Sequence, residues 1–216
     1  MRMTRLFVAG VFTAALFPLT ASAQRVRDFE DSWFWGVKGG AATYSPVYGD
    51  GDAAATFGAE WLITRTHGAL YVSLDQANIK ATSFVFDPTA EFSARPVQVD
   101  KLRRVGFAAL AFPKRFGRFR PYAGLGLTIN LIGDAYPMVG ADEEDVDDAV
   151  YDRIDDRKSQ AAFLGMGGVQ AGFGRAAVFG QVMFVPANKR FLLDENMAFF
   201  EGGIRYNFGG AREGIR

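Results

Sequence analysis

From residue 32 onward, apolar and polar positions alternate in short runs instead of gathering into blocks. In 32–44, Trp33, Trp35, Val37, Gly39 and Ala41 share one face, and Phe34, Gly36, Lys38 and Gly40 share the other. Residues 55–64 set Phe57, Ala59, Trp61 and Ile63 against Thr56, Gly58, Glu60 and Leu62. In 69–76, Leu70, Val72 and Leu74 oppose Tyr71, Ser73 and Asp75. Near 102–112, Val105, Phe107, Ala109 and Ala111 oppose Arg104, Gly106 and Ala108. The run 120–132 is the most regular, with Ala123, Leu125, Leu127, Ile129 and Leu131 opposite Tyr122, Gly124, Gly126, Thr128 and Asn130. Segments 160–173 and 176–185 are apolar and Gly-rich, with weaker alternation. Residues 199–208 place Phe200, Gly202, Ile204, Tyr206 and Phe208 opposite Phe199, Glu201, Gly203, Arg205 and Asn207. A period of two is that of a half-buried strand, so the pattern predicts eight strands and no strong helix.

The connections alternate in length as regularly as the side chains alternate in polarity. Arg65–Gly68, Pro113–Phe119 and Gly174–Arg175 are short, whereas Ser45–Ala54, Gln76–Asp100, Gly133–Ser159 and Pro186–Met197 are long. In an antiparallel up-and-down barrel, this order gathers the tight turns at one rim and the long loops at the other. Outer-membrane barrels are built that way, with short periplasmic turns and long external loops. An even strand count leaves both termini at the short-turn rim, which suits a chain arriving from the periplasm.

The segment before the strands fits that route. Met1–Arg5 carries two arginines, Leu6–Leu19 is an apolar run of 14 residues, and Ala21-Ser22-Ala23 has the small-x-small pattern of a cleavage site. Residues 1–23 therefore read as a secretory signal peptide cleaved between Ala23 and Gln24. The run is too short for a spanning helix, which takes roughly 20 residues. Residues 24–208 form the predicted barrel domain, and 209–216 a polar periplasmic tail.

Which face meets which solvent follows from polarity. The continuous apolar face carries the aromatics, and the other face mixes Gly, Thr, Asn and charge. With the barrel closed, the first suits lipid and the second a narrow lumen, and closure is required because an unpaired backbone edge in hydrocarbon costs several kcal/mol per group. Trp33, Trp35, Trp61, Phe112, Phe173, Tyr206 and Phe208 lie near the short-turn strand ends, as an interfacial girdle would. An eight-stranded barrel is just wide enough to be filled by its own side chains. Lys38, Glu60, Asp75, Arg104, Gln181, Glu201 and Arg205 are the expected filling, a salt-bridged plug because buried charges must be paired. Glu60 with Lys38, and Glu201 with Arg205, are the expected pairs.

Composition mostly excludes. The 216 residues hold 24 basic and 24 acidic side chains, and removing Arg2 and Arg5 with the leader leaves a net charge of −2. Without clustered positive charge, nucleic acid is not an expected partner. There is no cysteine, hence no disulfide, thiolate metal site or cysteine nucleophile. The single histidine, His67, falls in a short turn and reads as a solvated turn residue. The glycines of 165–174 lack the following helix that a phosphate cradle needs and read as close-packed barrel backbone. The loop from Asp134 to Lys158 carries ten acids against Arg153, Arg157 and Lys158, a net −7 that predicts a self-repelling, extended, solvated segment. A divalent cation or a basic partner at loop 133–159 is its alternative use, although the Asp-x-Asp-x-Asp-Gly calcium pattern is missing.

Two motifs resemble a known family. Arg120-Pro121-Tyr122-Ala123-Gly124-Leu125-Gly126 resembles the RPY-x-G-x-G strand opening of small outer-membrane β-barrel proteins, of the kind of the outer-membrane protein A barrel domain. Glu201-Gly202-Gly203-Ile204-Arg205-Tyr206-Asn207-Phe208 is similar to their C-terminal assembly signal: polar, x, Gly, x, x, aromatic, x, aromatic. The resemblance covers roughly 32–208 and implies that Gly203, Tyr206 and Phe208 are read by the barrel-assembly machinery. It implies a location in the bacterial outer membrane with lipid as partner, and only weakly a function, since the family holds adhesins, enzymes and structural barrels. The expectation is a structural or surface-interacting barrel without a wide pore, and without catalytic, cofactor or metal-binding residues. A lipid-modifying acyl hydrolase or transferase and a periplasmic lipocalin-like carrier are the alternatives.

Overall fold

The computed structural model describes residues 31–44, 52–139, 146–186, 191–193 and 196–210. The signal peptide and its Ala23/Gln24 cleavage site lie outside the described residues. In chain order the strands are β1 (Ser32–Tyr44), β2 (Asp52–Thr64), β3 (Gly68–Ala77), β4 (Ala81–Phe86), β5 (Ala94–Val99) and β6 (Leu102–Ala111). They continue with β7 (Phe119–Ile132), β8 (Ala135–Pro137), β9 (Ser159–Phe173), β10 (Ala176–Val185) and β11 (Met197–Gly210). One α-helix, α1 (Asp148–Asp156), lies between β8 and β9.

Eight of these strands close into an antiparallel up-and-down barrel in the order β1-β11-β10-β9-β7-β6-β3-β2. Each corresponds to one alternating run of the sequence. The seam between the first and last strands is paired from Ser32↔Gly210 to Thr43↔Ala198, so β11 continues through Gly209 and Gly210. The predicted faces hold: Trp35, Val37, Leu125 and Phe163 are 53%, 67%, 77% and 74% exposed, whereas Arg104 and Arg205 are 1% and 0% exposed. Trp33 and Trp61 meet edge to face with centroids 5.4 Å apart, Trp35 stacks on Trp61 at 5.7 Å, and Tyr206 meets Phe208 at 5.1 Å, all beside the short turns. Phe112 does not join them. It keeps the inward parity of Ala108 and Leu110 and packs inside the barrel on Tyr122, centroids 5.4 Å apart.

The long connections are folded, which the sequence reading did not anticipate. β4, β5 and β8 form a second sheet in the order β4-β5-β8, carrying strands β3, β6 and β7 beyond the rim. Along β3 and β4 the inward parity never breaks, with Asp75, Ala77, Ile79, Ala81, Ser83 and Val85 all buried. Where β5 meets β6 and β7 meets β8, the ladder is held across the irregularity by Asp100 N donating to Asp134 O (3.0 Å) and Gly133 N to Lys101 O (2.9 Å).

The acidic loop is likewise not extended over its described part. Asp147 caps α1, its carboxylate accepting from Ala149 N at 3.0 Å. Val146, Val150 and Ile154 recur every fourth residue and are buried, while Asp148, Asp152, Asp155 and Asp156 stay exposed. Burial of this stripe against the sheet, with a capped first turn, outweighs repulsion among carboxylates that remain in water.

Candidate functional site: a plugged lumen beneath a folded cap

Inside the barrel, inward positions from all eight barrel strands converge on one network of balanced charge. Lys38 Nζ lies 2.6 Å from Glu201 Oε2 and 2.8 Å from Asp75 Oδ1, and donates to Tyr71 Oη at 2.9 Å. Arg104 Nη2 bridges the same two acids, at 2.8 Å from Asp75 Oδ2 and 2.8 Å from Glu201 Oε1. Arg205 Nε pairs with Glu60 Oε1. Three cations therefore face three anions, each drawn from the expected plug. The pairing differs from the expectation, however: Glu60 holds Arg205, and Glu201 holds Lys38 and Arg104. Register explains the exchange, since Glu60 stands opposite Gly36, two positions from Lys38, while Arg104 stands directly opposite Asp75.

Neutral groups tie the two halves together. Gln181 Nε2 donates to Glu201 Oε2 (3.0 Å) and Tyr71 Oη (3.1 Å), and Gln181 Oε1 accepts from Tyr122 Oη at 2.9 Å. Arg205 reaches Gln170 Oε1 at 2.7 Å and Tyr122 Oη at 3.3 Å. Both buried guanidinium groups also lie on rings, Arg104 over Phe199 at 3.7 Å and Arg205 over Phe179 at 3.8 Å. Tyr71, Tyr122 and Gln170 were not among the expected plug residues. The inward parity of 69–76 and 120–132 pointed to the two tyrosines, whereas the weak alternation of 160–173 hid Gln170.

One transverse row is less well satisfied. Arg104, Asn130 and Gln160 are register neighbours across β6, β7 and β9. Arg104 Nη1, both amide atoms of Asn130 and Gln160 Oε1 are buried without a protein partner.

Beyond this row the long connections pack as a cap whose buried side chains continue the apolar cluster of the barrel. Ile79, Val85, Val97, Val99, Val150, Ile154, Phe191 and Leu192 are buried together. Ser83 Oγ donates to Leu192 O (2.6 Å) and Arg153 Nη1 to Phe86 O (3.0 Å), so separate connections are stitched together. At the hairpin between β4 and β5, Asp87 accepts from Thr89 N (2.9 Å) and Thr89 Oγ1 (2.7 Å) and pairs with Arg95. These hydrogen bonds, from Thr89 first and Arg95 next, pull the Asp87 carboxyl from 3.8 down to about 2. On the outer side of the cap sheet Phe86, Tyr136 and Met138 are exposed, and Phe92, at a φ of 61°, projects from the hairpin with 89% of its surface in solvent.

The other marked positions are placed as follows. His67 stands exposed in the β2–β3 turn, where it is the backbone carbonyl, accepting from Phe112 N at 2.8 Å, that the fold uses. Gly203 faces inward on β11, and a Cβ there would fall 2.1 Å from Val37 O across the barrel seam. Tyr206 and Phe208 point outward at the short-turn end of the same strand. Among the described residues, no group of three or more His, Cys, Asp and Glu is arranged to hold a metal ion.

No protein-family model matches the sequence, and no curated protein matches it as a relative. Solved structures do resemble the fold. Neisserial surface protein A superposes with a TM-score of 0.56 at 12% identity, over 82% of this chain and 97% of that one. The attachment invasion locus protein Ail of Yersinia pestis gives 0.50 at 11% identity, over 83% and 99%. The N-terminal β-barrel domain of Pseudomonas aeruginosa OprF gives 0.50 at 13% identity, over 83% and 98%. At such identities the likeness is one of architecture: this chain has the closed eight-stranded barrel fold of these proteins.

Proposed function

We propose that the chain is an integral protein of the bacterial outer membrane, structural or surface-interacting, non-catalytic and without a wide pore. The observation that carries this reading is the inversion of polarity. The barrel turns Trp35, Val37, Leu125 and Phe163 outward and seals Lys38, Arg104, Glu201 and Arg205 within. In water that arrangement is unfavourable on both sides, whereas around a hydrocarbon core it is favourable on both. Neisserial surface protein A and Ail are named as a surface protein and an attachment protein, which supports placing the cap on the outside of the cell.

In this reading the membrane lipid is the partner of the apolar wall, and the assembly machinery reads Gly203, Tyr206 and Phe208 on β11. The exposed carboxylates of α1 and the aromatic outer side of the cap are then what the cell presents, to a divalent cation or a basic partner. The ion pairs that Lys38, Arg104 and Arg205 make with Asp75, Glu201 and Glu60 support the reading of a filled lumen. The test is extraction and gel mobility. The processed protein should leave membranes only with detergent and should migrate differently before and after boiling. A stable monomer dissolved without detergent would overturn the assignment.

A further inference from the structure

The short-turn mouth of the barrel holds a pocket that borders the plug and shares Gln170 with it. It is an opening of ≈ 50 Å³ lined by Phe34, Arg115, Arg118, Arg120, Gln170 and Asn207 together with small residues of the β9–β10 turn. Its charged side chains are all arginines, and among the described residues no carboxylate lines it. Two of them are buried amides whose oxygens are already engaged. Gln170 Oε1 accepts from Arg205, and Asn207 Oδ1 accepts from Gly209 N at 2.9 Å, which leaves each amide NH2 for the pocket. Arg115 Nε donates to Gly117 O at 2.6 Å and Arg118 lies over the Phe173 ring at 5.7 Å, both side chains exposed to solvent at the mouth.

The surroundings reinforce this sign. The same turn carries Lys114, and the neighbouring turns carry Arg65, paired with Asp31, and Arg175. Glu60, an inward-facing acid of the plug, pairs with Arg205 through Oε1. The planar guanidinium forks of Arg115 and Arg118 match the oxygens of a phosphate. Phe116 and Phe119 are exposed on the turn that supplies the arginines, which sets the pocket at the height of a lipid headgroup.

We infer that this pocket is an anion site for a phosphate group, either free phosphate or the headgroup phosphate of a phospholipid in the adjoining leaflet. The inference rests on the barrel reading only for the lipid source, because the pocket itself is a feature of the folded chain.

The experiment uses full-length processed protein folded in an uncharged detergent, with folding verified in every sample by its heat-dependent gel mobility. Binding of inorganic phosphate and of short-chain phosphatidic acid is measured by calorimetry at physiological ionic strength. The variants are the double substitution Arg115→Gln with Arg118→Gln, the substitution Asn207→Leu, and Arg175→Gln as a charge-loss control outside the pocket. The double variant should weaken binding by about tenfold or more, because charge-assisted hydrogen bonds are lost. Asn207→Leu should weaken it less, and Arg175→Gln should leave it nearly unchanged. Binding of both probes would make free phosphate sufficient, and binding of phosphatidic acid alone would assign the headgroup; either supports the site. No binding of either probe, or an equal loss in the control, would overturn it while leaving a correctly folded barrel on the gel.

Discussion

Glu201 illustrates how much rests on single inward positions. It accepts from Lys38, Arg104 and Gln181 at once, so both cations on that side of the plug depend on it and on Asp75. Replacing one partner of a buried ion pair leaves the others desolvated and uncompensated, at a cost of about 3–5 kcal/mol. Glu201→Ala should therefore destabilise the folded barrel by that order in urea titrations monitored by gel mobility, and far more than Asn207→Ala. Gly203 is set by space, not charge. With a Cβ only 2.1 Å from Val37 O, any other residue forces β1 and β11 apart where the barrel closes. The sequence marked Gly203 through the resemblance of its motif; the steric reason became visible only with the seam paired.

At the scale of the strand, period two decides nearly everything. On β7, Leu127 and Ile129 face outward and Thr128 and Asn130 inward, so neighbours in sequence have opposite solvents. Ile129→Arg should cost on the order of 2–4 kcal/mol in a bilayer if the site lies near the midplane, as charge on a lipid-facing strand position does. Asn130→Ser should be mild, since neither amide atom of Asn130 has a protein partner to lose. Equilibrium unfolding in lipid vesicles compares the two, and equal effects would mean that the faces are reversed. Strand existence and facing were legible in the sequence because alternation is a local property. α1 was not read, although Val146, Val150 and Ile154 recur every fourth residue. Net charge dominated the reading of that loop, whereas the surface that buries the stripe belongs to β4 and β8, elsewhere in the chain.

The whole molecule has two regions of different character joined by one apolar cluster: a charged, hydrogen-bonded network in the lumen and an aliphatic packing under the cap. They should respond differently to acid. Asp87 is held down to about 2, below the usual 3.8, so its contribution to the cap is complete above about pH 4 and is lost as the pH falls toward 2. Lowering the pH from 5 to 2.5 should thus loosen the β4–β5 hairpin first, read as acid-protease cleavage near Asp87 while the barrel still migrates as folded. Asp87→Asn should give the same cleavage at neutral pH. Cleavage that never precedes loss of the folded barrel band would show barrel and cap to be one cooperative unit.

The sequence by itself determined the number of barrel strands, which side of each meets lipid, which connections are short, and which charges fill the lumen. All of these follow from the alternation of side chains along a strand and from the chain order of loop lengths. Only the tertiary structure decided who pairs with whom inside the plug, why Phe112 turns inward onto Tyr122, and that three separate connections pack together in one cap. Those outcomes depend on register around a closed sheet and on contacts between segments far apart in the chain. A short-range pattern of polarity does not encode that geometry.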